Sequence, residues 1–219
     1  MWVPGSGSIS TFDFATDHNV CYCFLSYAGA RAATTMMDGY WDVVDKKGLE
    51  RNPYRAGFLQ LVAVSETDAR AEQEYGPHLE AHYRAGLGTV PTSGFAVPGY
   101  AEPAGIEHMI RNPGDLGMLA KMRNITYKEI VDTQVAIVGS PATVADQIEA
   151  MVRDFRIGNL LVMLQNGSMP RALTEKNISL FAEEVLPRLR PIWDEEGWEN
   201  HWWPRGASVP HAMAGEAAS

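Results

Sequence analysis

The chain has 219 residues, 46% of them hydrophobic and 21% charged, enough for one globular domain with a sizeable core. Its 18 Lys+Arg stand against 27 Asp+Glu, and the net charge of −9 argues against nucleic acid or an anionic membrane surface as a partner. No apolar run approaches the roughly 20 residues of a membrane helix, and no basic stretch precedes an apolar core at the start, so a cytoplasmic protein is expected.

The first stretch, Trp2-Val3-Pro4-Gly5-Ser6-Gly7-Ser8-Ile9-Ser10-Thr11, reads as the end of a strand, a glycine-rich turn and a helix start. Gly5 and Gly7 permit a tight, open turn, and Ser8, Ser10 or Thr11 can cap the helix. Free backbone amides and the positive end of the helix dipole make such a turn a cradle for phosphate. The alternative is a plain surface turn. The helix runs over 11–17, and Val20–Leu25 is an apolar run of strand length suited to burial on both faces. Cys21 and Cys23 sit too close along that strand to pair, and read as small buried hydrophobes.

Ser26-Tyr27-Ala28-Gly29 is the next turn. A helix over 30–47 follows, with Ala33, Met36, Met37, Tyr40, Trp41 and Val44 on one face and Gly48 as its stop. Ala56–Val64 is a second buried strand. Ser65-Glu66-Thr67-Asp68 then starts a helix reaching about Leu87, in which Pro77 predicts a bend. His78 and His82 are four apart, yet no third ligand stands at a useful spacing, so no metal is expected. Residues 88–113 form a long Gly/Pro/Ala-rich segment of the kind used as lids. The 114–132 stretch is read as helical, and Gln134–Val138 as short and extended.

Ser140-Pro141 is an N-cap followed by proline in the first turn, opening a helix with Val144, Ile148, Met151, Val152 and Phe155 inward and Gly158 closing it. Asn159–Leu164 is the last strand and Gln165–Pro170 a polar turn. Thr174 opens a final helix with Ile178, Phe181, Val185 and Leu189 inward. Trp193, Trp198, Trp202 and Trp203 need burial or a partner. One domain over 1–203 is expected, with 204–219 a disordered tail.

The order is strand, turn, helix, repeated four times, which predicts a parallel α/β sheet with right-handed crossovers. The turns Gly5–Ser8, Ser26–Gly29, Ser65–Thr67 and Gln165–Pro170 then share one edge, the edge that carries ligands in such folds. Ser26, Tyr27, Gln165 and Asn166 are candidates to line a substrate site there, and a purely structural role is the alternative for each.

The stretches Trp2–Ser8, Asp38-Gly39-Tyr40-Trp41, Arg51-Asn52-Pro53-Tyr54-Arg55, Ala63–Ala69, Val138–Ala145 and Phe181–Pro187 together resemble the C-terminal half of bacterial luciferase-like flavin-dependent monooxygenases. The resemblance implies strands five to eight of a TIM (β/α)8 barrel. It implies that Gly5, Ser6, Gly7 and Ser8 hold the phosphate of reduced FMN, which a separate flavin reductase supplies, for use with O2 on a small-molecule substrate. Ser6 stands where relatives often have glycine. Some relatives use a deazaflavin for hydride transfer, and that alternative stays open. The resemblance names no catalytic residue, because the half it lacks carries most groups near the reacting carbon. It implies a homo-oligomer or a missing N-terminal half as partner. A non-catalytic partner subunit or relic of the same fold, and an unrelated barrel enzyme binding a sugar or nucleotide phosphate, are the other readings.

Overall fold

The computed structural model describes residues 1–5, 7–26, 29–86, 107, 111 and 124–198. The expectations for Ser6, Tyr27, the 88–113 segment apart from residues 107 and 111, the 114–123 part of the helix read over 114–132, Trp202, Trp203 and the 204–219 tail lie outside these residues. Strand β1 (Trp2–Gly5), helix α1 (Ile9–Asp17), β2 (Cys21–Leu25), α2 (Ala30–Lys46), β3 (Ala56–Val64) and α3 (Asp68–Ala85) come first. They are followed by α4 (Tyr127–Asp132), β4 (Ala136–Gly139), α5 (Pro141–Phe155), β5 (Asn159–Met163), α6 (Arg171–Leu180), a π-helical turn (Phe181–Val185) and α7 (Leu186–Leu189). Among the described residues no helix is long and apolar enough to cross a membrane.

All pairings are parallel, in the order β1-β2-β3 with β5 on β3. This is the α/β arrangement of half a TIM barrel, four βα units carried by β1, β2, β3 and β5. The extended 134–138 stretch takes a particular place. β2 leaves β3 at Leu59, and Leu61 pairs with Met163 on one side and Ala136 on the other, so β4 continues the side that β2 vacates. β3, at nine residues the longest strand described, thereby runs on past β2 and β5 at its carboxyl end with β4 beside it.

One face of the sheet carries a core of Phe12, Tyr22, Tyr40, Trp41, Phe58 and Phe155 under α1, α2 and α5. Aromatic contacts bind it, with Phe12 edge-on to Tyr22 at 5.0 Å and Tyr22 stacked on Tyr40 at 5.0 Å. The other face is covered at the end of β3 by Tyr75, Leu79 and Tyr83 of α3, packed on Leu61, Ala63, Ala136 and Val138. Towards the start of the strands that face is more open. Trp2 lies over Gly57 beside Cys23 there, and Leu25, Leu59 and Leu161 are half-buried. Cys21 and Cys23 are free and buried, and burial pushes their thiols up to about 12 and about 11.

Several helix details depart from the sequence reading. Met36 is exposed, because the buried stripe of α2 runs through Ala33, Met37, Tyr40, Trp41 and Val44 and leaves it one position off. Arg156, in the left-handed conformation (φ 50), ends α5. Gly158 instead lies against the ring of Tyr54, where a Cβ would sit 2.4 Å from Cδ1. The last helix starts after Pro170, well before Thr174, and Ile178 faces outward while its neighbour Asn177 is buried. The π-helical turn precedes Pro187, which has no N–H to give and crowds the preceding turn; Leu186 reaches back five residues to the Phe181 carbonyl. Gly48 (φ 65) follows α2 as expected, and Ser140 caps α5 with Pro141 in its first turn.

Candidate functional site at the carboxyl edge of the sheet

Because the strands are parallel, the turns after β1, β2, β3 and β5 all leave from one edge. The opening loop comes first along it. Ser8 is the N-cap of α1: its hydroxyl accepts from the Thr11 amide at 3.2 Å and meets the Ser10 and Thr11 hydroxyls at 3.1 and 2.8 Å. The Ser8 carbonyl also takes the Thr11 and Phe12 amides. Ser8, Ile9 and Ser10 are exposed, so the positive end of α1 faces outward.

The glycines here are required by space as well as by freedom. A Cβ on Gly7, whose φ is +108, would lie 2.4 Å from Met36 Sδ, and one on Gly5 would lie 2.9 Å from Tyr22 Cε2. Met36, exposed on α2, thus forms the back of the loop. The Tyr22 hydroxyl is buried beneath it, facing the Gly7 backbone without a hydrogen bond of normal geometry. Gly5 and Gly7 therefore pack too closely on Tyr22 and Met36 to carry side chains, and lead into a capped, exposed helix start.

After β2, Ser26 is buried and its hydroxyl has no hydrogen-bond partner among the described residues. Gly29 (φ 90, ψ 161) precedes α2 and lies on the backbone of residues 133–135. After β5, Gln165 is exposed and its amide donates to the Gly167 carbonyl at 3.3 Å. Asn166 is fully buried; its amide donates to the Met163 carbonyl and holds the turn from within, so it faces the protein and not the open edge. Gly167 (φ 54) packs on His82, and His78 Nδ1 meets Ser168 Oγ at 2.8 Å, so the two histidines seat this turn on α3. Burial lowers the pKa of His82. Among the described residues no group of three His, Cys, Asp or Glu is placed to hold a metal ion.

Two features at this edge were not read from the sequence. Asn177, fully buried on α6, donates to the Val62 and Leu164 carbonyls at 2.9 and 2.8 Å and accepts from the Val64 amide at 2.7 Å, bridging β3 to the chain leaving β5. A polar residue in an apolar stripe is the only signal for it in the sequence. The second is an ion cluster over the end of β3. Lys176 Nζ lies 2.7 Å from Glu66, 2.6 Å from Glu74 and 3.0 Å from Ser65 Oγ, and Arg70 meets Glu74 at 2.9 Å.

Lys176, then Ser65, holds the Glu66 carboxyl at about 2. Burial pushes Glu74 upward, but Lys176, Arg70 and Ser65 more than offset it and leave the carboxyl low. Both folded pKa values are depressed, so the cluster stabilises the fold above the ordinary value of 4.5 and ceases to do so as pH falls towards about 2. The expected result is a Tm that declines through that window, and a shallower decline in Lys176→Met. Equal slopes in the two proteins would show that the cluster contributes nothing to acid sensitivity.

No sequence-family model matches the chain, and no curated protein matches it by sequence. Solved structures do match. The chain is similar to the oxygenating constituent of 3,6-diketocamphane monooxygenase from Pseudomonas putida, a type II Baeyer–Villiger monooxygenase in complex with FMN. That match has 20% identity and a TM-score of 0.52, over 86% of this chain and 48% of that one. It is similar to the monooxygenase RslO1 from Streptomyces bottropensis at 16% identity and a TM-score of 0.52, over 85% of this chain and 47% of that one. It is also similar to the coenzyme F420-dependent tetrahydromethanopterin reductase of Methanopyrus kandleri, at 16% identity and a TM-score of 0.50, over 86% and 50%. At these identities the likeness is one of fold, and the chain spans about half the length of these proteins.

Proposed function

We propose that this chain is the phosphate-holding half of a luciferase-like oxidoreductase that uses FMN or a deazaflavin, and that it works with a complementary (β/α)4 half. The observation that carries the reading is the opening loop: Gly5 and Gly7, packed too closely on Tyr22 and Met36 to carry side chains, lead into the exposed, Ser8-capped start of α1 at the carboxyl edge of a parallel sheet. The fold likeness supports it, since one neighbour is described with FMN and another as dependent on coenzyme F420.

In this reading the bound cofactor supplies the redox chemistry, either oxygen transfer to a small substrate with flavin reduced by a separate reductase, or hydride transfer. The chain's own groups bind and orient. Gly5, Ser6, Gly7 and Ser8 take the phosphate through backbone amides and the dipole of α1. Ser26, buried with a hydroxyl that meets no partner among the described residues, and the exposed Gln165 stand at the same edge. No proton-transfer residue is assigned to this half. The outer edges of β1 and β5, unpaired among the described residues, and the half-buried Leu25, Leu59 and Leu161, are where the complementary half closes the barrel and excludes water.

The test is FMN binding by the full chain, followed by flavin fluorescence, with riboflavin as the ligand lacking phosphate. Gly7→Asp is unsuitable, because it combines strain at φ +108 with a clash on Met36. Ser8→Asp is cleaner: aspartate caps a helix as well as serine does but sets a negative charge at the phosphate. FMN is expected to bind tenfold or more tightly than riboflavin, and Ser8→Asp to lose about tenfold or more for FMN alone with Tm unchanged. Equal affinities for FMN and riboflavin, or an indifferent Ser8→Asp, would remove the loop from the site. A folded chain that binds neither ligand would place the cofactor elsewhere.

A further inference from the structure

On the helix-covered face, away from the carboxyl edge, the core does not close. A cavity of about 350 Å³ lies between β5, α5, the π-helical turn and the segment after α7. Its walls are Leu160 and Val162 of β5, Phe181, Leu186, Ile192 and Trp193, and its floor is Tyr54 and Gly158 at the amino ends of β3 and β5. That volume falls within the roughly 300–1,000 Å³ of small-molecule pockets and is more than twice an engineered apolar cavity of about 150 Å³ that binds benzene.

The cavity has built causes. The π-helical turn ahead of Pro187 widens the helix over β5, a distortion frequent at functional sites. Gly158 gives up its side chain to the Tyr54 ring. The indole N–H of Trp193 is taken by the Ile157 carbonyl at 2.9 Å and Arg156 stands over its ring at 5.2 Å, so the orientation of this wall is set from both its edge and its face.

Two polar groups meet this apolar space. Tyr54 is 8% exposed, and its hydroxyl has no hydrogen-bond partner among the described residues. Arg190 lines the cavity. Arg153, Arg156, Arg171 and Arg188 each meet a carboxylate, whereas Arg190 meets none among the described residues. Asp194 is close enough to act on the Tyr54 phenol but does not line the cavity. The wall therefore offers hydrocarbon on most sides, a positive charge and a hydroxyl donor.

We propose that this cavity is a second ligand site, separate from the cofactor edge, for a small amphiphile with a hydrocarbon body and a single carboxylate. The tail lies between Leu160, Val162, Phe181 and Trp193, and the carboxylate pairs with Arg190 and accepts from the Tyr54 hydroxyl.

The test is calorimetric titration of the full chain with octanoate, and with octylammonium, which has the same tail and the opposite head, both below their micellar concentrations. Octanoate is expected to bind at one saturable site and octylammonium tenfold or more weakly. Arg190→Gln, at an exposed residue without an ion pair, keeps the fold and is expected to weaken octanoate about tenfold while leaving octylammonium within twofold. Val162→Phe, which puts a ring into the cavity, is expected to abolish octanoate binding with far-UV circular dichroism unchanged; should it unfold the chain, Leu189→Phe fills the same space from the helix side. The proposal is overturned if octanoate does not saturate, as when another part of the chain already fills the cavity. It is equally overturned if the filling variant still binds octanoate, or if Arg190→Gln leaves the preference for octanoate intact.

Discussion

Replacing Asn177 with leucine is expected to destabilise the fold by about 4 kcal/mol, read as a lower denaturation midpoint in urea at unchanged slope. Leucine has the branching of asparagine and suits a helix, so propensity does not oppose the change, while its bulkier methyl groups add only to the cost. The cost comes from what is left behind. The Val64 amide and the Val62 and Leu164 carbonyls all lose their partner in a dry interior, and each stranded group costs about 1–3 kcal/mol. No strand is available to take over, because β5 ends at Met163 and β4 lies on the opposite side of β3. Asn177→Asp sharpens the argument. A carboxylate still accepts from the Val64 amide but sets negative charge against two carbonyls, so its folded pKa is raised above the unfolded value. The sign is opposite to that of the ion cluster: Asn177→Asp regains stability as pH falls from that raised value to the ordinary carboxylate value, before the parent's own loss below 4.5 sets in. A leucine variant within about 1 kcal/mol of the parent would mean the bridge is not what ties β3 to the chain after β5.

The same residue shows where sequence reading stops. Local chemistry was legible wherever one residue decides one event. Ser140-Pro141 and Gly48 mark their helix ends, Thr67 caps α3 within the start signal read over 65–68, and the 56–64 strand is where its apolar run places it. The order of βα units was legible for the same reason. What failed was the choice among residues that satisfy one period equally well. Ile178 fits the apolar stripe of α6, but the stripe passes through Asn177, Phe181 and Val185, because strand ends that diverge need an amide more than another methyl group. Met36 missed the core of α2 by one position and became the back of the opening loop. The place of β4 beside β3 rests on pairing across tens of residues, which no local pattern encodes. At the candidate site, the glycines and Ser8 were legible as a helix start, whereas the inward turn of Asn166 depends on how the loop seats on α3.

Gly29→Ala is expected to cost more than about 3 kcal/mol, the largest effect of any single methyl group at the carboxyl edge. Two terms add. At φ 90 and ψ 161 the residue occupies a region essentially reserved for glycine, with a strain of about 1–3 kcal/mol for anything else. The new Cβ would also lie 2.2 Å from the Thr133 carbonyl oxygen and 2.9 Å from the Val135 amide nitrogen, and both are backbone atoms that no rotamer change can move aside. The adjacent Ala30 amide donates to the Gln134 carbonyl at 3.1 Å, and Gln60 reaches the Gln134 and Val135 carbonyls, so the segment entering β4 is fixed from both sides. Gly48→Ala is the control. Its φ of +65 carries a similar left-handed strain of about 1–2 kcal/mol, but a Cβ there meets nothing within 4 Å. The difference in denaturation midpoint between the two variants therefore isolates the steric term. Because Gly29 ends the turn that begins at Ser26, relief of the clash must shift either that turn or the start of β4. Amide hydrogen exchange distinguishes the two: faster exchange confined to 136–139 means that β4 gives way and the ligand edge survives. Faster exchange at Ala30 and the start of α2 means that the edge itself yields, and cofactor binding should then fall with stability. Equal costs for the two alanines would show that the packing of Gly29 on the backbone entering β4 is looser than these distances require.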